Sequence, residues 1–269
     1  RMRTGEVIEV LDQSKPPVPR EASVRIVYVD EHLVILDKPA GLIVERRREE
    51  QNWTEDRKAR QPVLDELMTG VLDRHLGTTG SRVFSVHRLD RDTSGLMLYA
   101  RTIQAQERLI ALFAGHDITR VYQAVVLGVI ASPRTIENWI IRDRGDGLRG
   151  CVDEEEEDAQ SAITHIKPIE TIKGAYTLVE CRLETGRTHQ IRVHLSEAGH
   201  MLCGEKVYLR QTPASPIRTD PSHAPRQALH SCEIELTHPL TGQRLHFTSP
   251  LSRDLDRWLA RLRETPRTP

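Results

Sequence analysis

Apolar residues in this chain come in short runs bounded by charged or turn-forming residues, LVIL at positions 33–36 being typical. That brevity excludes a membrane-crossing stretch of roughly 20 apolar residues and points instead to many short strands. Residues 24–29 (VRIVYV) and 33–38 (LVILDK) flank the polar break DEH and read as a hairpin. It ends at KPAG (38–41), where a proline removes a backbone donor and Gly41 is free to take positive φ. Residues 95–101 and 120–130 read as strands, 161–169 and 175–183 as a strand pair around Lys173-Gly174, and 232–247 as strand, turn and return strand. Helical spacing marks 62–76, with Val63, Leu64, Leu67, Val71 and Leu72 on one side and a proline at its start. It also marks 102–115, opened by Thr102 and closed near Gly115, then 188–200 with Thr188 as cap, and a terminal helix from Ser252. Residues 45–60 are highly charged without apolar periodicity and read as an exposed loop, as does the proline-rich stretch 211–227.

Strands joined mostly by hairpins, with a few helices between them, predict an α+β fold: a mixed, largely antiparallel sheet covered by helices. At 269 residues, 38% hydrophobic and 29% charged, the chain suits one large domain with an aliphatic core. Four cysteines, each more than twenty residues from the next and none in a CxxC pair, read as reduced thiols of a cytoplasmic protein. The formal net charge of −1 hides an uneven distribution. DEEEED at 153–158 gathers six acids in one loop, and without it the chain is net positive, which keeps a polyanionic partner open.

HRLDRDTSGL (87–96) sets two arginines and two carboxylates among small residues. Such a loop suits anion binding, and a salt-bridged turn is the alternative. His87-Arg88-Leu89-Asp90 followed by Thr93-Ser94-Gly95 resembles the signature of the RluA-type pseudouridine synthases. DKPAG (37–41), RVYQAVVLG (120–128), TGRTHQIRVHL (185–195), RQALHS (226–231) and HPLTG (238–242) resemble further motifs of that family in the expected order, spanning most of the chain.

The resemblance implies isomerisation of a uridine within ribosomal or transfer RNA: N1–C1′ breaks, the uracil turns and C5 bonds to C1′, without cofactor or metal. It makes Asp90 the catalytic residue, as nucleophile at C1′ or base at C2′, both requiring the carboxylate form. Arg192, the arginine of THQIR, would pair with Asp90, a cation favouring that form, so Arg192→Leu is expected to abolish activity in a folded protein. Tyr122, from the K/R-x-Y strand, would stack on a flipped base and assist proton removal at C5, an ordinary half-buried tyrosine being the alternative. Arg88 would enter the RNA where the base leaves. His87, Thr93 and Ser94 would hold the loop at the substrate, and Lys38, Arg187 and His189 would contact phosphates or the uracil edge.

One departure is Met201-Leu202-Cys203-Gly204-Glu205, where the family usually has Pro-Ile-x-Gly-Asp. Residues 1–20 resemble a linker or the end of a small S4-type RNA-binding domain ahead of a catalytic domain at 21–269, taken as a monomer. Two other readings are a non-catalytic RNA-binding or ribosome-assembly protein that keeps the fold, and a metal-dependent hydrolase on His87, Asp90 and Asp92. Intact Asp90, Tyr122 and Arg192 weigh against the former, and the lack of further clustered ligands against the latter.

Overall fold

In the computed structural model, residues 24–209 and 220–264 are described; residues 1–20, read above as a linker or S4-type remnant, and most of the proline-rich loop lie outside them. The elements in chain order are β1 (Arg25–Val29), β2 (Leu33–Lys38), a 3-10 turn (Arg48–Glu50), α1 (Glu55–Arg60), α2 (Leu64–Leu76), β3 (Phe84–Ser85), β4 (Ser94–Ala100), α3 (Ile103–Ala114) and β5 (Thr119–Leu127). They continue with β6 (Arg134–Ile141), β7 (Gly150–Val152), β8 (Gln160–Ile172), β9 (Tyr176–Leu183), α4 (Gln190–Glu197), β10 (Leu229–Thr237), β11 (Arg244–Thr248) and α5 (Arg253–Glu264). One sheet runs β1-β2-β4-β10-β5-β9-β8-β6-β7, with β11 on β10 and β3 on β4. Among the described residues every pairing between these strands is antiparallel except β4 with β10, so the α+β expectation of a mixed, largely antiparallel sheet holds.

Strand alternation sends each face to its own helices. Val34, Leu36, Met97, Tyr99, Tyr122, Ala124 and Val126 share a core with Leu64, Met68 and Leu72 of α2 and with Ile191 and Leu195 of α4. Their neighbours Leu33, Ile35, Leu96 and Leu98 face the other way, onto Ala105 and Leu109 of α3. Val125 and Leu127 also point away from the first core, onto Leu255, Trp258 and Leu259 of α5. All seven residues of β4 are buried, so the strand leaving the HRLDRDTS loop is central and fixed. Lys173 and Gly174, at φ 52° and 61°, make the tight turn of the β8–β9 hairpin. Of the four thiols, Cys181 and Cys203 are buried, Cys151 and Cys232 are half-buried, and all are unpaired.

Two expectations are corrected. Residues 45–60 are not simply a loop: they carry the 3-10 turn and α1. No apolar stripe announces them because polar contacts anchor them. Arg46 bonds the Glu66 carboxylate of α2 and the carbonyls of Lys58 and Gln61, while the Arg57 guanidinium lies 3.7 Å from the Trp53 ring centre. Thr188 does not cap α4; His189 does, at φ 60°, where the chain turns into a helix buried from Gln190 to Ser196. The strands β6 and β7 had no sequence signal strong enough to be assigned.

Gly95 sits where β4 meets β10 in parallel, at φ 111°, and a Cβ there would lie 2.1 Å from the Ser231 carbonyl oxygen. Backbone cannot yield as a side chain does, so Gly95→Ala is expected to cost about 2–4 kcal/mol of stability from overpacking and unfavourable φ, read as a lowered urea midpoint. An unchanged midpoint would contradict this account of the β4–β10 junction.

Candidate active site

The loop carrying Asp90 is held from both ends. Thr93 N–H donates to the Asp90 carbonyl (3.1 Å), Gly41 N–H donates to the Arg91 carbonyl (2.8 Å), and Leu89 is buried beneath them. Lys38 is fully buried, its ammonium donating to the carbonyls of Pro39, Leu42 and Arg91 at 2.8–3.0 Å. It is a clamp between the KPAG turn and the loop, and it does not face the cavity. Burial lowers its pKa to about 7, against the pull of Asp90 and Asp92.

From the far side, Arg226 of RQALHS donates to the Asp92 carbonyl and the Ser94 hydroxyl, both at 2.8 Å, and to Asp254 and Ser252 at the start of α5. Gln227 donates to Thr93 Oγ1 at 2.8 Å, and Ser94 Oγ also meets His230 Nδ1 at 2.9 Å. Thr93 and Ser94 are therefore buried and bonded within the protein, and their contribution is to the shape of the loop. His87 Nε2 accepts from the Leu98 N–H (3.0 Å), so that nitrogen is not free to ligate a metal. Burial, with the Arg120 charge, brings the His87 pKa down to about 3.

Asp90 opens onto a cavity of about 500 Å³ lined by His87, Arg88, Thr93, Phe113, Arg120, Tyr122, Arg187, His189 and Arg192 among others, a volume suited to a small-molecule-sized group. Arg192 Nη1 donates to Asp90 Oδ2 at 3.1 Å. The same guanidinium forks onto Glu205, Nε to Oε2 and Nη2 to Oε1, each 2.8 Å. Burial would raise the Glu205 pKa, but Arg192 and the backbone N–H groups of Val207 and Tyr208 overcome it, and the net shift is downward. Glu205 lies in the stretch noted above only as a departure, and its role could be found only by knowing that it folds back beneath α4.

Tyr122 is buried at the cavity wall, and burial raises its phenol pKa. His189 Nε2 is 3.6 Å from Asp90 Oδ1, too long for a hydrogen bond, and its Nδ1 meets the Tyr208 hydroxyl at 2.6 Å. Burial lowers the His189 pKa even against the Asp90 charge, so the contact is with a neutral ring at pH 7. Tyr208 lies under the Arg192 guanidinium, another partner with no sequence signal. Arg187 reaches the cavity while its Nε donates to the Ser161 carbonyl at 2.9 Å, and buried Gln190 ties this loop to Ile163 and Thr164. Arg88 is exposed at the rim and paired with Glu45. Of the residues singled out from sequence, Lys38, Asp92 and Ser94 lie outside the cavity wall.

The chemistry available is that of one carboxylate beside a fixed guanidinium and an aromatic face, all bordering one cavity. It suits nucleophilic attack or proton abstraction by Asp90.

Arg192→Leu would remove the partner of a buried Glu205, so the variant is expected to lose about 3–5 kcal/mol of stability as well as activity, modifying the expectation of a normally folded protein. Arg192→Leu combined with Glu205→Leu should recover most of that loss in chemical denaturation while remaining inactive; a double variant no more stable than the single would refute the pairing account. The pH dependence has a sign. His87 and buried His194, the latter at about 4 by burial, both lie below their unfolded value of about 6.5, so the unfolded chain takes up protons first. Their contribution is whole above about pH 6.5 and is lost as pH falls toward the folded values; Glu205, also lowered, adds a further loss below about pH 4.3. Urea midpoints should therefore fall as pH is lowered from about 6.5 to about 4, and a midpoint rising on acidification over that range would contradict it.

The profile of the RNA pseudouridylate synthase family matches residues 32–197. The chain is 35% identical to the ribosomal large subunit pseudouridine synthase D of Xanthomonas campestris pv. campestris, over 98% of this chain and 77% of that protein. It is 37% identical to the protein of the same name from Pseudomonas aeruginosa, over 91% of this chain and 73% of that one. Among solved structures it resembles human RNA pseudouridylate synthase domain containing 4 with a TM-score of 0.71 at 22% identity, covering 89% of this chain and 93% of the other, a likeness of fold. The chain belongs to the RNA pseudouridylate synthase family and is an RluA-type pseudouridine synthase.

Proposed function

We propose that this enzyme isomerises a uridine of large-subunit ribosomal RNA in the cytoplasm, with Asp90 as the reacting carboxylate. The RNA class rests on the relatives, whose names specify the ribosomal large subunit. The residue assignment rests on one observation above all: Asp90, held by Arg192 at 3.1 Å, borders the same cavity as Tyr122.

A stacked uridine does not expose C1′, so the base must leave the helix and enter the cavity. Tyr122 offers it an aromatic face; its raised pKa keeps the phenol protonated in the free enzyme. Arg88 stands at the rim, and its exposed pairing with Glu45 is weak enough for RNA to displace. On the nucleophilic route Asp90 bonds to C1′ as uracil leaves with the N1–C1′ electron pair. C5 of the turned base then displaces the carboxylate, C5 loses its proton and N1 gains one. On the elimination route Asp90 takes the C2′ proton as uracil leaves with the N1–C1′ electron pair, C5 adds to C1′ as the proton returns to C2′, and C5 then loses its proton while N1 gains one. Both routes use the ionised carboxylate and need no redox partner.

Incubation with total cellular RNA in chelator-containing buffer, followed by pseudouridine mapping, should give new sites in large-subunit ribosomal RNA and none with Asp90→Asn. Product confined to transfer RNA would replace the substrate class, and absence of any Asp90-dependent product would remove the assignment. Tyr122→Phe should bind the same RNA about as tightly, because the ring remains, while turnover falls about 10²-fold through loss of the hydroxyl's part in moving the C5 proton; unchanged turnover would leave Tyr122 a stacking role alone.

A further inference from the structure

Arg120 is 6% exposed, lines the cavity beside Tyr122, and among the described residues has no carboxylate within ion-pair distance. Its Nη2 donates to the Glu184 carbonyl (3.1 Å), its Nε has no hydrogen-bond partner, and the face of Phe113 lies 5.4 Å from its guanidinium carbon. A buried cation held only by a carbonyl and a ring is costly unless an anion arrives to pair with it. Arg187 lies close enough to repel it, and it too has a carbonyl and no carboxylate as its partner. Between them in sequence and against Arg120 in space is Gly186, where a Cβ would come 2.5 Å from Arg120 Nη1. The chain has thus left out a side chain where two like charges are held together. The other cations of the cavity are already matched, Arg88 by Glu45 and Arg192 by Asp90 and Glu205.

We propose that Arg120 and Arg187 together form a seat for one phosphodiester of the RNA strand beside the flipped uridine. Uracil is neutral and cannot balance two guanidiniums; the backbone phosphate is the anion that RNA supplies, and guanidinium forks match its oxygens. The seat would fix the nucleotide's backbone while Tyr122, two residues along the same strand, receives its base.

This proposal rests on the RNA-modifying reading. Its test uses an RNA fragment containing a uridine that the enzyme modifies, prepared with a methylphosphonate, which lacks the charge, at each phosphate flanking that uridine in turn. Binding by fluorescence anisotropy should weaken about tenfold at one position for the unaltered enzyme and by less than twofold there for Arg120→Met. Arg120→Met should also reduce the dependence of log Kd on log salt by about one. If Arg120→Met does not fold, Arg187→Met carries the same comparison. An enzyme that modifies the RNA yet is indifferent to every neutralised phosphate overturns the seat alone, as does equal sensitivity in enzyme and variant. An enzyme that modifies no RNA overturns the reading beneath it.

Discussion

Arg192 is the point on which the site turns, because it is one guanidinium divided between two carboxylates of different kinds. Glu205 is buried and takes the bidentate fork; Asp90 borders the cavity and takes the remaining Nη1. A charge taken out of water is tolerated only where its partners are in place, and here each depends on the next. Glu205 fixes the angle of the guanidinium, the guanidinium fixes the carboxylate of Asp90, and the buried helix α4 gives Arg192 no freedom to follow a different partner. The Asp90 carboxylate is thereby oriented at the cavity wall, the kind of arrangement by which preorganisation lowers a barrier.

The surrounding structure serves that arrangement by removing alternatives. Lys38, Arg226 and Gln227 fix the loop through its backbone and its small side chains, leaving the Asp90 carboxylate for Arg192 and the cavity. His189 enters α4 in the left-handed region, an uncommon conformation for a residue with a side chain and one that tends to occur at functional sites. It brings the imidazole between Tyr208 and Asp90, where a right-handed start to the helix would carry it elsewhere.

How much of this was legible depended on whether a residue's task is local. Asp90, Arg192 and Tyr122 lie in motifs whose pattern names them, and the hairpins, α2, α3 and α5 follow from period and caps. Lys38 turns away from the cavity, since nothing in a linear motif distinguishes a cation aimed at substrate from one aimed at backbone carbonyls, one of them 53 residues away, while Ser94 is bonded to Arg226 and His230. Glu205 and Tyr208 were out of reach for the same reason, being defined by the fold of a segment that returns beneath α4. Thr188 failed as a cap because a positive φ at His189 is set by tertiary packing. Residues 45–60 hid their helix because a cation over Trp53 and an arginine fork replace the apolar stripe that periodicity detects.

The clamp formed by Arg226 has a consequence for when the enzyme comes into being. Asp90 meets Arg192 across 102 residues of chain, Asp92 meets Arg226 across 134, and Ser94 meets Ser252 across 158. Contacts so distant in sequence close late, after their loops have been drawn in at an entropic cost. During synthesis from the N-terminus, Asp90, Tyr122, Arg187, His189 and Arg192 are all made before Arg226, the arginine that holds the loop. A growing chain therefore carries those side chains before it can fix the loop between them, and the clamp closes only once Arg226, Ser252 and Asp254 have been made.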